Sequence, residues 1–132
     1  MARQRGGRAW STPPSAFSGV IREAIVERHR AIVLAMMGEI VLRAPVDTGR
    51  FLANNIVSIG SQVYYSLDEY DKTGRETISR AESALSGLQP FTVTYIQNNL
   101  VYAGPLEDGH SRQAPAGIYG IAFYGVTQAY TK

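Results

Sequence analysis

The sequence predicts an α+β fold: a small antiparallel sheet packed on a long N-terminal helix, with a second helix and a C-terminal helix. Two patterns carry this expectation. Apolar residues recur at helical spacing from Phe17 to Leu42, and Phe91-Thr-Val-Thr-Tyr-Ile96 alternates as a strand with one buried face does. A chain of 132 residues is also long enough to bury roughly two-thirds of its unfolded surface, so one independent core is feasible.

Residues 1–14 are rich in Arg, Gly and Pro, with Trp10 as their one aromatic. Such a segment buries too little surface to fold alone and reads as a flexible arm. Arg3, Arg5 and Arg8 make it basic, either a solvated tail or a tether to a neighbouring subunit or to DNA. Trp10 either anchors in a partner's pocket or folds back on its own domain. Residues 15–132 read as a single domain without internal repeats.

After the double proline, Ser15 can cap a helix that ends before Pro45, because Ala44 ahead of a proline is pushed out of the helical region. Glu27–Arg30 and Glu39–Arg43 are spaced to pair along its surface. From Ala31 onward the apolar pattern broadens to take in Val33, Leu34, Met37, Ile40 and Val41. A helix apolar on several faces is buried on several faces, and in a chain this small part of that burial is expected from other subunits.

Val46-Asp-Thr-Gly-Arg50 then turns the chain into an expected strand from Phe51 to Ile59, and residues 61–70 read as a loop or a strand extension. Thr73 is placed to cap a second helix to about Ser86, with Glu76 as its reciprocal partner and Gly87 as terminator. Asn98-Asn99 follow the alternating strand and lead into Leu100–Ala103, a short strand or a first helical turn. Gly104-Pro105 and Asp108-Gly109 punctuate the chain beyond it. Ala116 to Tyr130 is expected to be helical, since Ile118, Ile121, Ala122, Val126 and Ala129 lie near one face.

Composition removes several function classes. No cysteine is present, which excludes disulfides, thiolate zinc sites and a Cys nucleophile. Nothing at the N-terminus resembles a signal peptide, and the longest apolar run, Ala31–Leu42, falls short of the ~20 residues that cross a bilayer. A soluble chain without a membrane partner is expected. Eleven of its thirteen basic residues are Arg, and there are eight Tyr. Both favour planar, stacked contacts at interfaces.

The most tempting catalytic string is Asp47-Thr48-Gly49, which resembles the active-site turn of aspartic proteases. In a retroviral-type homodimer two Asp47 carboxylates would share a proton. Against this, the triplet follows a predicted helix and a proline, Arg50 replaces the usual small residue, and no later apolar strand ends in a Gly-Arg pair. The other reading is an Asp side chain accepting backbone N–H bonds in a turn, with Gly49 at positive φ; Thr73-Gly74-Arg75 after Asp71 echoes the same composition. His29 reads as a polar surface or interface residue. His110 lies beside Glu107 and Asp108, too few ligands for a metal site. No nucleotide fingerprint or nucleophile elbow is present. The expectation is therefore no catalytic residue, no metal and no cofactor, with a nucleic-acid-binding module using the Arg arm as a further alternative.

Three strings occur together and in order: Val41-Leu-Arg-Ala-Pro-Val-Asp-Thr-Gly-Arg50, Tyr95-Ile-Gln-Asn-Asn-Leu-Val-Tyr-Ala103, and Leu106-Glu-Asp-Gly-His-Ser-Arg-Gln-Ala-Pro-Ala-Gly117. Jointly they resemble the siphophage neck or tail-completion protein family, over about residues 30–120. Members carry a P-V-D-T-G-R-x-x-x-N turn after a first helix, for which Asn54 or Asn55 would supply the Asn. The Gly- and Tyr-rich segment from Ile118 to Tyr130 departs from the charged helix of that family. The resemblance implies a homo-oligomeric ring at the head–tail junction of a virion assembled in the host cytoplasm. Its partners would be a head-closure (stopper) protein and a tail terminator or tail tube protein, with DNA passing through the lumen without sequence-specific recognition. Within the strings, Pro45, Asp47, Thr48, Gly49, Asn98, Asn99, Gly109, Pro115 and Gly117 read as loop geometry. Arg50, Tyr102, Glu107 and Arg112 join Arg3, Arg5, Arg8 and Trp10 as candidate interface residues; Arg50 and Tyr102 either pin loops or, for Arg50, face a partner ring.

Overall fold

The computed structural model describes residues 14–101, 103–109 and 117–130, and its architecture is α+β. The first helix, α1, runs over Pro14–Arg43. It opens one residue before Ser15, on a proline whose missing N–H would have had no intrahelical partner anyway. Ala44 still donates to the Ile40 carbonyl at 2.8 Å, and Pro45, with no N–H to donate, stops the ladder. Both expected surface pairs form, Arg30–Glu27 at 3.6 Å and Arg43–Glu39 at 3.0 Å. Exposed pairs of this kind contribute at most about 0.5 kcal/mol each.

Val33, Met37, Ile40 and Ala44 form the buried stripe of α1. They meet residues from every later part of the chain, among them Leu52, Val57, Leu85, Leu100 and Ile118. Burying a Leu, Ile or Met side chain contributes roughly 1.5–3 kcal/mol, so this single cluster dominates the apolar stabilisation.

The sheet has two strands, β1 (Ile56–Ile59) and β2 (Thr94–Gln97). They pair antiparallel, with Ile56 opposite Gln97 and Ile59 opposite Thr94. So small a sheet does not stand alone; α1 and α3 (Arg75–Leu85) cover it. Both strands are shorter than expected. Residues 51–53 belong instead to a short helix, α2 (Arg50–Ala53), whose carbonyls are taken up by distant side chains. Phe91 takes a left-handed φ of 65° with its ring 77% exposed, which breaks the strand before Thr94. His29 is half-buried, and its Nε2 lies 2.9 Å from the Thr94 hydroxyl, tying α1 to β2. The sequence had placed it at a surface or interface.

Residues 61–70 form a loop that adds no backbone ladder to the sheet. The Ala103 N–H donates to the Leu100 carbonyl at 3.1 Å, where the chain enters α4 (Ala103–Glu107). Gly104-Pro105 therefore lies inside that helix and does not punctuate it. The last helix, α5, spans Tyr119–Tyr130 in spite of Gly120 and Gly125, because Ala122 and Val126 pack into the core against α1. Its final carbonyl accepts from Arg28 Nη2 at 2.6 Å, and the guanidinium sits 5.5 Å from the centre of the Tyr130 ring. A cation at a helix C-terminus is favourable. Among the described residues no helix is long and apolar enough to cross a membrane.

Candidate functional site

The three motif strings lead to one buried polar junction built around α2. Gly49 caps that helix at φ 88°, and its carbonyl accepts from both Ala53 N–H (3.0 Å) and Asp71 N–H (2.9 Å). The Asp71 and Lys72 backbones press so closely that a Cβ at Gly49 would lie 2.7 Å from Asp71 N and C. Thr48 Oγ1 accepts the Arg50 N–H at 3.3 Å. Asp47 differs from the turn expected of it: its carboxylate is exposed and accepts no hydrogen bond among the described residues. The Asp47-Thr48-Gly49 triplet thus joins helix to helix, with no strand on either side.

The carboxylate that does the capping belongs to Asp71, in the echoing Asp-Lys-Thr-Gly-Arg turn. Asp71 Oδ1 accepts Gly74 N–H at 3.0 Å and the Thr73 hydroxyl at 3.3 Å. Its Oδ2 accepts Thr77 N–H at 2.9 Å and the Thr77 hydroxyl at 2.8 Å. Burial works against its charge, but these hydrogen bonds outweigh burial and hold the carboxyl below its ordinary pKa. The expected Thr73–Glu76 capping box is not formed. Gly74, at φ 82°, is the N-cap of α3, and it abuts Val41 of α1 where any Cβ would collide. Gly87 follows a C-cap at Ser86 in right-handed geometry, so no left-handed glycine terminates α3.

The carbonyls of this four-residue helix find only the backbone N–H groups of Asn54 and Asn55 to accept, and each also takes a side chain. Asn54 Nδ2 donates to the Arg50 carbonyl (2.8 Å), Asn98 to Phe51 (3.0 Å), Asn55 to Leu52 (3.1 Å) and Arg80 to Ala53 (2.6 Å). Asn54 and Asn55 are both fully buried, which only complete pairing makes tolerable. The same amides hold the loop. Leu67 N–H donates to Asn54 Oδ1 (2.6 Å) while its carbonyl accepts from Asn54 Nδ2 (3.0 Å). Gln97 treats Val63 in the same way, at 2.8 and 3.0 Å, and Asn99 donates to the Val63 and Tyr65 carbonyls.

Glu107 provides the third contribution. Its Oε1 accepts Ile118 and Tyr119 N–H, each at 2.7 Å, and its Oε2 accepts Gly120 N–H at 2.9 Å. A side chain expected at an interface has its carboxylate on the N-terminus of α5, where the helix dipole favours it. Burial opposes its charge, and the three backbone bonds outweigh burial, so its pKa falls below the ordinary value. Gly117, at φ 91°, brings the Glu107 carbonyl to 2.6 Å from where a Cβ would sit. Tyr119 then donates its hydroxyl to Asn55, and burial pushes that phenol's pKa well up. Glu107→Ala is expected to cost about 1–2 kcal/mol. Hydrogen exchange provides the check: α5 amides should exchange faster while those of α3 keep their rates.

Of the other candidates, Gly109 is left-handed at φ 86°. Arg50 is half-buried with its Nε unpaired among the described residues. Pro45, Asp47, Thr48, Gly49, Phe51 and Leu106 line a pocket of about 200 Å³. Arg3, Arg5, Arg8, Trp10, Tyr102, His110, Arg112 and Pro115 lie outside the described residues. Sequence reasoning did not pick out Asp71, Thr77, Arg80 or Gln97; the repeated Thr-Gly-Arg triplet was the one signal pointing to the first two. No family model, curated protein or solved structure matches this chain.

Proposed function

We propose that the chain is a structural, non-enzymatic virion protein that forms a ring at the head–tail junction of a long-tailed bacteriophage. There it would make head and tail competent to join, between a head-closure protein and a tail terminator or tail tube, with DNA passing through the lumen. The observation that carries this reading is the convergence of the three motif strings on Phe51. Asn98 donates to its carbonyl, Leu106 shares a pocket wall with it, and Tyr119, seated by Glu107, packs its ring 6.4 Å away. Strings that are weak one by one behave as a single structural unit, as a family signature does.

Assembly has separate support on α1. At 100° per residue, Val20, Ala24, Ala31, Ala35 and Leu42 lie opposite the stripe of Met37 and Ile40. On that outer face Val20 is 61% and Leu42 78% exposed and Ala24 and Ala31 are exposed as well, while Ala35 is half-buried beside α5. Contiguous open apolar surface of this kind marks protein contact.

The test is sedimentation of the purified chain alone and with the head-closure and tail proteins of its phage. A closed oligomer, or a monomer that assembles on a partner, is the expected result. Val20→Glu with Leu42→Glu should abolish assembly while changing stability by no more than about 0.5 kcal/mol. Asp47→Asn should leave assembly of the phage intact, whereas a protease needed for that assembly would lose its catalytic dyad. A chain that never co-sediments with those proteins, from a phage whose tails are normal without it, sinks the proposal.

A further inference from the structure

The segment 62–70 has two unlike edges. Its inward backbone groups, at Val63, Tyr65 and Leu67, are held by the amides of Asn54, Gln97 and Asn99. In extended chain, successive residues turn their N–H and C=O to opposite sides. The groups of Tyr64, Ser66 and Asp68 therefore face away from the domain, and among the described residues they make no backbone hydrogen bond. Three side-chain amides thus bond one edge of this loop at every second residue, as a neighbouring strand would, and leave its other edge open. Open edges of this kind take up an added strand.

Charge and side chains narrow the occupant. Residues 61–70 contain Asp68 and Glu69 and no base, beside exposed rings of Tyr64 (82%), Tyr65 (53%) and Tyr70 (55%). Two copies of this edge would set like charges against each other, which disfavours edge-to-edge pairing. Residues 1–13 are the complement, with Arg3, Arg5 and Arg8 and no acid. Guanidinium groups stack on aromatic faces, as Arg28 does on Tyr130 here. The arm is rooted at Pro14, and residues 15–24 of α1 are exposed on every side. Thirteen extended residues beyond that root reach up to about 43 Å.

We infer that the basic arm of one copy adds as a strand to the edge at Tyr64–Asp68 of a second copy, clasping neighbours in the assembly. The inference rests on the oligomer proposed above and specifies one of its contacts. The experiment is residue-resolved hydrogen exchange on the full chain, followed alongside sedimentation as concentration rises, and repeated with Arg3, Arg5 and Arg8 all changed to Glu. The Val63 and Leu67 amides, bonded within the domain, serve as internal references. Amides of Tyr64, Ser66 and Asp68 should slow by about tenfold or more on assembly, and the Arg-to-Glu chain should lose that protection. Ser66→Pro, which removes an outward N–H and spares Val63 and Leu67, should remove the protection with the fold intact. Assembly with these amides exchanging freely overturns the clasp and leaves the ring reading standing. Protection that survives the Arg-to-Glu changes assigns the edge to another strand and overturns the arm. A chain that stays monomeric, with free exchange at every concentration, also overturns it; the ring reading is then decided by the partner proteins.

Discussion

Asp71→Ala is expected to lower the unfolding free energy by about 3 kcal/mol, a loss that denaturant titration would read. The carboxylate is buried and accepts from Gly74 N–H, Thr77 N–H and the hydroxyls of Thr73 and Thr77. Hydrogen bonds to a charged group contribute about 1.5–3 kcal/mol, and Ala would leave buried donors without acceptors. Asp71→Asn keeps the shape but turns an NH2 toward a backbone N–H, so most of the loss should remain. The effect should also depend on pH. The folded carboxyl titrates below its ordinary value of 3.8. Its contribution is therefore complete above that value and is lost as pH falls through the lower, folded one. Wild type and Asp71→Asn should differ by a constant amount near neutrality and converge in acid below about pH 4. Glu107 is shifted in the same direction, so wild type should lose further stability in that window through α5. A difference that stays constant down to pH 2 would show that the charge on Asp71 contributes nothing.

Gly49→Ala should be comparably damaging, at about 3 kcal/mol. A left-handed φ costs a non-glycine residue roughly 1–2 kcal/mol, and here the added methyl would also lie 2.7 Å from backbone atoms of Asp71. Backbone cannot swing aside as a side-chain tip can, so the turn and the α3 cap must separate. Gly60 supplies the control: its φ is 85°, but nothing lies within 4 Å of the place a methyl would take there. Gly60→Ala should therefore cost only the conformational share, about 1 kcal/mol. Equal losses at the two glycines would refute the proposed contact between the Gly49 turn and Asp71.

These two residues also mark where sequence reasoning stopped. Gly49 in a turn was legible, because Pro45 and a Thr-Gly pair set it locally. That Asp71, and not Asp47, carries the capping carboxylate was not. Asp47 adjoins its Thr-Gly-Arg triplet directly, whereas Lys72 sets Asp71 one residue further back, three positions before the Gly74 N–H it accepts, and α3 then brings Thr77 to it. The short helix at 51–53 was likewise read as strand. Phe51, Leu52 and Ala53 have no strong local preference; their carbonyls are satisfied by Asn98, Thr77 and Arg80, twenty-five to forty-seven positions away.

What the sequence by itself determined about this protein is what short-range physics decides. That covers α1 and α3 to within a residue or two, the greater part of α5, which begins at Tyr119 and not at Ala116, the presence of a strand within each of the two expected stretches, the positive φ of Gly49, the loop positions of Gly109 and Gly117, and the surface pairs on α1. Periodicity, proline geometry and charge spacing act within a turn or two, so one chain displays them. The tertiary structure alone decided the buried amide network of Asn54, Asn55 and Gln97, the seat of Glu107 on α5, and the shortening of both strands. The amide network and the seat of Glu107 depend on a polar group finding a partner far along the chain. In the core the cost of leaving such a group unpaired exceeds the few tenths of a kcal/mol by which local propensities differ.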